Sequence, residues 1–428
     1  TLLQGGASHF ADRLSLHQDY SVDYLEDGHA VQLAEDFYST ISYTDKIIQY
    51  LEQADPGQPF FAYLAYTAPH DPLQVPDAWL HRYRGVYDAG PDAVRDARIQ
   101  RQQALGLTPI DIRPWTPLRF PSWTPMARQP WTQRSAQQRA ADVRAMEIYA
   151  GMIEIVDQQV GRLIAYLDER ELLDNTFMIF MSDNGANAAT PLTYPNSTRA
   201  WYLTERIQET KQAGRPGSHV FQGSEWAAVS NAPFRLFKGT PAEGGIRVPF
   251  IVSGPGIPSH SRTSRPGFAT DITPTILELA GINAMKHRLF DNKLRPTGDS
   301  LVTSWQGVHE HSDRTVAMEL FGSRAVFQGP YKAVNVERPL GSGAWELYNL
   351  QTDPGETRNL RADRPDVLTS LISVYESYAL SNGVIAPDPA PMPPAAALHA
   401  GACSWWCEAR LRLVDLLVTL YSYTPGRE

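Results

Sequence analysis

The stretch Thr176-Phe-Met-Ile-Phe-Met-Ser-Asp-Asn-Gly-Ala186 constrains the fold of this chain more than any other. Its apolar run, Phe177 to Met181, has the length of a strand and is flanked by turn residues, so it reads as a strand buried on both faces. Before it, Ala141 to Arg170 carries Met146, Tyr149, Ile153, Val156, Val160, Leu163, Ile164 and Leu167 as an apolar stripe at helical spacing. A helix leading into a buried strand is the building unit of an α/β domain. In open α/β sheets ligands bind beyond the carboxyl ends of the strands, where Ser182-Asp-Asn-Gly185 falls. Asp183 and Asn184 offer adjacent hard oxygens, one charged and one neutral, which suits Ca²⁺ or Mg²⁺. The same residues also suit an ordinary turn, with Gly185 letting the backbone bend sharply.

At 428 residues the chain has room for two domains, or for one large α/β domain with an appendage. A formal charge of −9, with no Lys/Arg run, argues against a nucleic-acid partner. No apolar run approaches the roughly 18 residues that cross a bilayer. Cys403 and Cys407 are too few for a disulfide framework and leave the redox compartment open. Thr1 opens no signal-peptide pattern and the chain lacks an initiator Met, so it is expected to begin inside a longer protein.

Phe37 to Gln53 reads as a helix, with Ile41, Ile47, Ile48 and Leu51 largely on one face and Pro56-Gly57 as its stop. Pro59 to Tyr66 reads as a second buried strand, leading into Thr67-Ala-Pro-His-Asp-Pro72. His70 thus sits at a strand's carboxyl end, in a loop stiffened by Pro69 and Pro72, although a lone His is more often structural. Residues 88–138, rich in Arg, Pro and Trp, read as a packed insertion, and 186–231 as an irregular segment too long to be idle. Val248 to Val252 forms a third buried strand behind the Gly244-Gly245 turn, and Asp271 caps a helix that Gly281 closes. Beyond Arg314, Thr315–Phe321, Arg324–Gln328, Tyr331–Val336 and Trp345–Leu350 read as an antiparallel sheet crossed by a helix from Pro365 to Leu380. The expected architecture is α/β: one mostly parallel sheet holding the three buried strands, flanked by helices, plus the smaller antiparallel sheet. The expected domains are residues 1–310, 311–385 and a Pro/Ala-rich linker and tail, 386–428.

Four segments in order resemble the sulfatases of the alkaline-phosphatase-like superfamily, in particular the bacterial-type arylsulfatases. They are Phe60-Phe61 through Ala68-Pro69-His70, Met181-Ser-Asp-Asn-Gly185, Phe237-Lys238 with Gly244-Gly-Ile-Arg-Val-Pro249, and Asp271-Ile-Thr-Pro274. Phe37-Tyr38-Ser39, Tyr43-Thr44-Asp45-Lys46, Leu347-Tyr-Asn-Leu350 and Asp353-Pro-Gly-Glu356 fit as well, so the resemblance covers about residues 20–385. It implies that Asp183 and Asn184 are two ligands of an active-site Ca²⁺. It implies that His70 contacts the sulfate ester and protonates the leaving oxygen, and that Lys238 binds sulfate oxygens. Fixed cations at those oxygens favour the transition state over the ground state. The implied substrate is a small-molecule sulfate ester.

The departures from the family are as informative. Its formylglycine nucleophile is made from a Cys/Ser-x-Pro-x-Arg motif, which this sequence lacks, and neither Cys403 nor Cys407 stands in one. The family's Asp-Asp metal ligands and its Gly-Lys-x-His segment have no counterpart either. All three belong upstream of the helix at Phe37, so an N-terminally truncated sulfatase is the expectation. The leading reading is a sulfuric ester hydrolase in its complete form. The alternatives are a truncated or non-catalytic sulfatase-like protein, or a phosphonate or phosphodiester hydrolase of the same superfamily.

Overall fold

The structure, a computed structural model, describes residues 2, 6–16, 21–117, 129–190, 212–263, 265–283, 290, 293–306 and 314–385. The predicted linker and tail, with Cys403 and Cys407, lie outside the described residues, as do residues 118–128 of the insertion and 191–211 of the long irregular segment. The chain divides into two compact units, one of residues 1–163, 186–237 and 385–428, the other of residues 164–185 and 238–384.

In the first unit a small hairpin, β1 (Leu25–Glu26) and β2 (His29–Ala30), precedes α1 (Ser39–Gln53), α2 (Pro91–Ala104), the start of α3 (Ala136–Glu169), and α4 (Gly223–Asn231). Pro at the first turn of α2 suits a helix start, because its missing N–H would have had no partner there. The core forms where α3 presents Ala145, Ile148, Met152 and Ile155 to Tyr38, Leu73, Val75 and Leu80. Met146 turns to another side of α3, packing with Trp226 and Val229 of α4. The predicted apolar stripe therefore has the right period but the wrong centre. Ile153, within that stripe, is 45% exposed, whereas Ile148, Met152 and Ile155, outside it, are wholly buried. A helix covered on two sides blurs any single stripe.

In the second unit β3 (Met178–Met181) pairs with β4 (Phe250–Ser253), and α5 (Ile272–Leu279) follows. Four strands, β5 (Thr315–Leu320), β6 (Ser323–Gln328), β7 (Tyr331–Asn335) and β8 (Glu346–Asn349), make an antiparallel sheet in sequential order. Pro opens α6 (Pro365–Asn382) and Gly383 closes it in the left-handed region. Val326, Ala333 and Leu347 are cross-strand neighbours, and they bury one face of this sheet against Leu371 and Tyr375 of α6. This sheet and its crossing helix are as the sequence predicts.

The expected parallel, buried strands need correction. The β3–β4 ladder is antiparallel, from Met178 opposite Ser253 to Met181 opposite Phe250. Neither strand is buried on both faces, since Phe180, Phe250 and Ile251 are exposed. Pro59 to Tyr66 has no ladder partner among the described residues, and Phe61 and Tyr63 point into solvent at 73% and 80% exposure. An apolar run records a capacity for burial; it carries no information on strand direction, which the entry angle of the connecting chain decides. Asp271 stands at the N-cap of α5 as predicted, but its carboxylate does not cap forward. It accepts instead from the backbone N–H groups of Phe268 and Asp299 and pairs with Arg314. Among the described residues no helix is long and apolar enough to cross a membrane.

Candidate active site

His70 belongs to the first unit. Its backbone N–H donates to Thr67 O at 2.9 Å, closing the turn that follows the extended Pro59–Tyr66 segment. Its ring Nδ1 lies 2.8 Å from Asp71 O. A carbonyl can only accept, so that nitrogen carries the proton of the neutral ring and Nε2 is the acceptor nitrogen. Asp71 is buried, and its carboxylate accepts from Asn187 Nδ2 at 2.7 Å. The turn continues into Leu73 and Val75, whose N–H groups donate to Val220 O and Gly214 O of the irregular stretch 212–222 while their side chains enter the core.

Beneath His70 is a polar network that the sequence gives no reason to expect. His9 is 1% exposed. Its Nε2 lies 3.1 Å from His70 O and its Nδ1 2.8 Å from Ser39 Oγ. Burial pushes its imidazole down to about 4, because the cation would have to leave water, a cost that the His70 carbonyl and the Asp12 carboxylate offset only in part. Gln74 supports the same spot: its Oε1 accepts from the backbone N–H of His9 and from Ser8 Oγ, and its Nε2 donates to Ser218 O.

Asp183, Asn184 and Lys238 belong to the second unit. The antiparallel ladder sets the carboxyl end of β3 beside the amino end of β4, which places two turns back to back. Ser182 N–H donates to Pro249 O, and Gly185 N–H donates to Gly245 O at 2.9 Å. Within the first turn Ser182 Oγ donates to Asn184 O, and Asn184 Nδ2 donates to Gly185 O at 2.9 Å. The amide nitrogen of Asn184 is thereby committed to the turn, leaving its Oδ1 as the atom with ligand chemistry. Asp183 is exposed and Asn184 half-buried. Lys238 is half-buried in a turn completed by Gly239, whose φ of 86° is one that glycine adopts without strain.

The second turn, a single helical turn at Glu243–Ile246, is anchored from below by an ionic cluster. Lys332 of β7 is completely buried, with Nζ 2.9 Å from Glu243 Oε1. Glu356 Oε1 lies 2.8 Å from the same ammonium, outside hydrogen-bond angles, and Glu356 Oε2 accepts from the Glu243 N–H. The Lys332 ammonium also sits over the Phe327 ring at 4.9 Å. Three of these residues carry no individual signal in the sequence. Glu243 and Glu356 merely flank the Gly-Gly-Ile-Arg-Val-Pro and Asp-Pro-Gly segments, and Lys332 sits in a strand where a lysine ordinarily faces water.

The fit to a hard cation is right in kind and short in number. A carboxylate and an amide oxygen are its natural ligands, but Ca²⁺ takes about six to eight oxygens. Among the described residues no group of three or more His, Cys, Asp or Glu side chains is placed to hold a metal.

Comparison with known proteins identifies the family. A sulfatase family model matches residues 3–282. The chain is 36% identical over 402 residues to an uncharacterized sulfatase of Schizosaccharomyces pombe, covering 90% of this chain and 71% of that protein. It is 37% identical over 286 residues to the arylsulfatase of Klebsiella aerogenes, covering 66% of this chain and 60% of that protein. The fold is also similar to the crystal structure of Ps i-CgsB in complex with k-i-k-neocarrahexaose. There the TM-score is 0.57 at 21% identity, over 88% of this chain and 65% of that one. The fold is thus α/β of the alkaline-phosphatase-like type, and the chain belongs to the sulfatase family.

Proposed function

We propose that this chain supplies the leaving-group and charge-balancing side of a sulfate-monoester hydrolase, acting on a small-molecule sulfate ester. The observation that supports this reading most is the match to the sulfatase model, within which His70, Asp183, Asn184 and Lys238 each stand at a turn. In the proposed reaction, His70 donates a proton from Nε2 of its imidazolium to the oxygen leaving sulfur. Its Nδ1–H, held on Asp71 O, keeps the ring in the required orientation. The Lys238 ammonium binds a sulfate oxygen and offsets the charge that grows there as the S–O bond breaks. Asp183 and Asn184 would hold a divalent cation, in this reading Ca²⁺, which supplies further positive charge at the sulfate when bound.

No residue here is assigned as the nucleophile, because the 428-residue sequence contains no Cys/Ser-x-Pro-x-Arg motif. Without one, the covalent step that divides the reaction is missing, and nitrophenyl sulfate should be turned over at background rate by this chain. The test adds an upstream segment bearing Asp-Asp and Cys-x-Pro-x-Arg and measures nitrophenol release. Supported, the proposal gives turnover that Lys238→Ala lowers by about 10²–10³ in kcat/KM, as for loss of one fixed transition-state charge. Turnover indifferent to Lys238→Ala, or turnover by the 428-residue chain itself, would overturn it.

A further inference from the structure

We infer that His9 is a positioning residue for His70: its Nε2–H holds the His70 carbonyl, and so sets the peptide over which the His70 ring folds back. The inference rests on the reading of His70 as the proton donor. It assigns a role to a residue nothing in the reaction itself requires.

Both polar atoms of the His9 ring face fixed partners: His70 O at 3.1 Å and Ser39 Oγ at 2.8 Å. The carbonyl must accept, so Nε2 carries the proton and Nδ1 accepts from the Ser39 hydroxyl. Thr67 Oγ1, 3.3 Å from Ser39 Oγ, donates toward the same hydroxyl. Thr67 Oγ1 also lies 3.4 Å from His9 Nδ1, so either hydroxyl can supply the proton that Nδ1 accepts, and in every such arrangement of this neutral relay Nε2–H faces His70 O. The other neutral tautomer would set a lone pair against the carbonyl lone pair at a buried site, which costs the whole desolvation of both groups.

Leverage comes from where the bond lands. The His70 carbonyl belongs to the peptide joining His70 to Asp71, and the next carbonyl, Asp71 O, receives the His70 Nδ1–H. Rotation of the first peptide swings the second carbonyl, so holding one orients the acceptor of the other. His9 is itself immobile. Its backbone N–H and C=O are bonded to Gln74 Oε1 and Ser39 N, and its ring lies 6.1 Å from that of Tyr38. It thereby connects the amino-terminal stretch to the catalytic turn across the chain.

The test reads proton positions rather than turnover, so it does not depend on an active enzyme. Long-range ¹H–¹⁵N spectra of the 428-residue chain, labelled at histidine and assigned with His9→Gln and His70→Asn, report each ring's tautomer. The expected result is His9 protonated at Nε2 and His70 at Nδ1. In His9→Leu the Nδ1–H preference of His70 should fall about tenfold, the weight of one net hydrogen bond. In His9→Gln, whose amide can still donate to the carbonyl, it should be retained. Wild-type His9 protonated at Nδ1 would overturn the inference, as would an unchanged His70 ring in a folded His9→Leu. Should His9→Leu not fold, Ser39→Ala combined with Thr67→Ala serves, since either hydroxyl can reach His9 Nδ1. Loss of both donors to His9 Nδ1 should then mix the tautomers of both rings, and two unaltered rings would overturn the inference. Failure of the catalytic reading looks different: His70→Asn would leave turnover intact in the extended enzyme while the wild-type tautomers stayed as described.

Discussion

Two buried polar clusters, one in each compact unit, are built on opposite principles. Under His70 lies a neutral network of His9, Ser39, Thr67 and Gln74, in which each donor meets an acceptor. Under the Asp183–Gly185 turn lies an ionic one, with the Lys332 ammonium between the carboxylates of Glu243 and Glu356. Neutral networks lose one hydrogen bond at a time when cut. Ionic ones leave an uncompensated charge in low dielectric, which is far more costly. The His70 turn thus rests on groups of fixed protonation, and the Asp183–Gly185 turn on a charged brace.

The largest effect expected from this contrast is Lys332→Met. It strands two buried carboxylates and should lower stability by about 3–5 kcal/mol, read as a shift of the urea midpoint. Adding Glu243→Gln and Glu356→Gln should recover much of the loss, because the stranded charge is then gone. If the single variant proves as stable as the parent, the ionic cluster is no brace and the contrast fails.

The neutral network should reveal itself through pH. Folded His9 titrates at about 4 against an ordinary 6.5, so below 6.5 the unfolded chain takes up a proton that the folded chain refuses. The stability this contributes is complete above pH 6.5 and drains away as pH falls toward 4, by about 3 kcal/mol in total. Denaturation midpoints measured through that window should fall with pH in the parent, and the His9 share of that slope should vanish in His9→Gln. An identical slope in both would mean that His9 is not held neutral by burial.

What the sequence discloses follows from what each feature depends on. The sheet of β5 to β8 with α6 was legible because each strand is short and bounded by Gly or Pro turns, and local turn chemistry fixes sequential antiparallel pairing. The direction of β3 against β4, and the lack of a ladder partner for Pro59–Tyr66 among the described residues, depend on chain paths that no local pattern encodes. His70, Asp183, Asn184 and Lys238 are candidates only as parts of motifs; singly each reads as an ordinary turn or surface residue. His9 stayed hidden because a buried histidine and a solvated one look alike in a sequence. Lys332 was concealed by its own strand, where alternation places a lysine on the outer face until a second layer covers it.

The bond from Gly185 N–H to Gly245 O makes the Asp183–Gly185 turn a clock. That amide exchanges with deuterium only when the two turns part, so its exchange rate counts their separations. Gly245 lies in the helical turn that Glu243 pins to Lys332, and weakening the pin should quicken this single amide before the β6–β7 ladder is affected. In Glu356→Gln, which keeps a hydrogen-bonding side chain beside Lys332 but removes one charge, Gly185 should exchange several-fold faster while the Ala325 and Val334 amides keep parental rates. Breathing of the Asp183–Gly185 loop would then be governed by the buried carboxylate of Glu356, a residue 171 positions away in the chain.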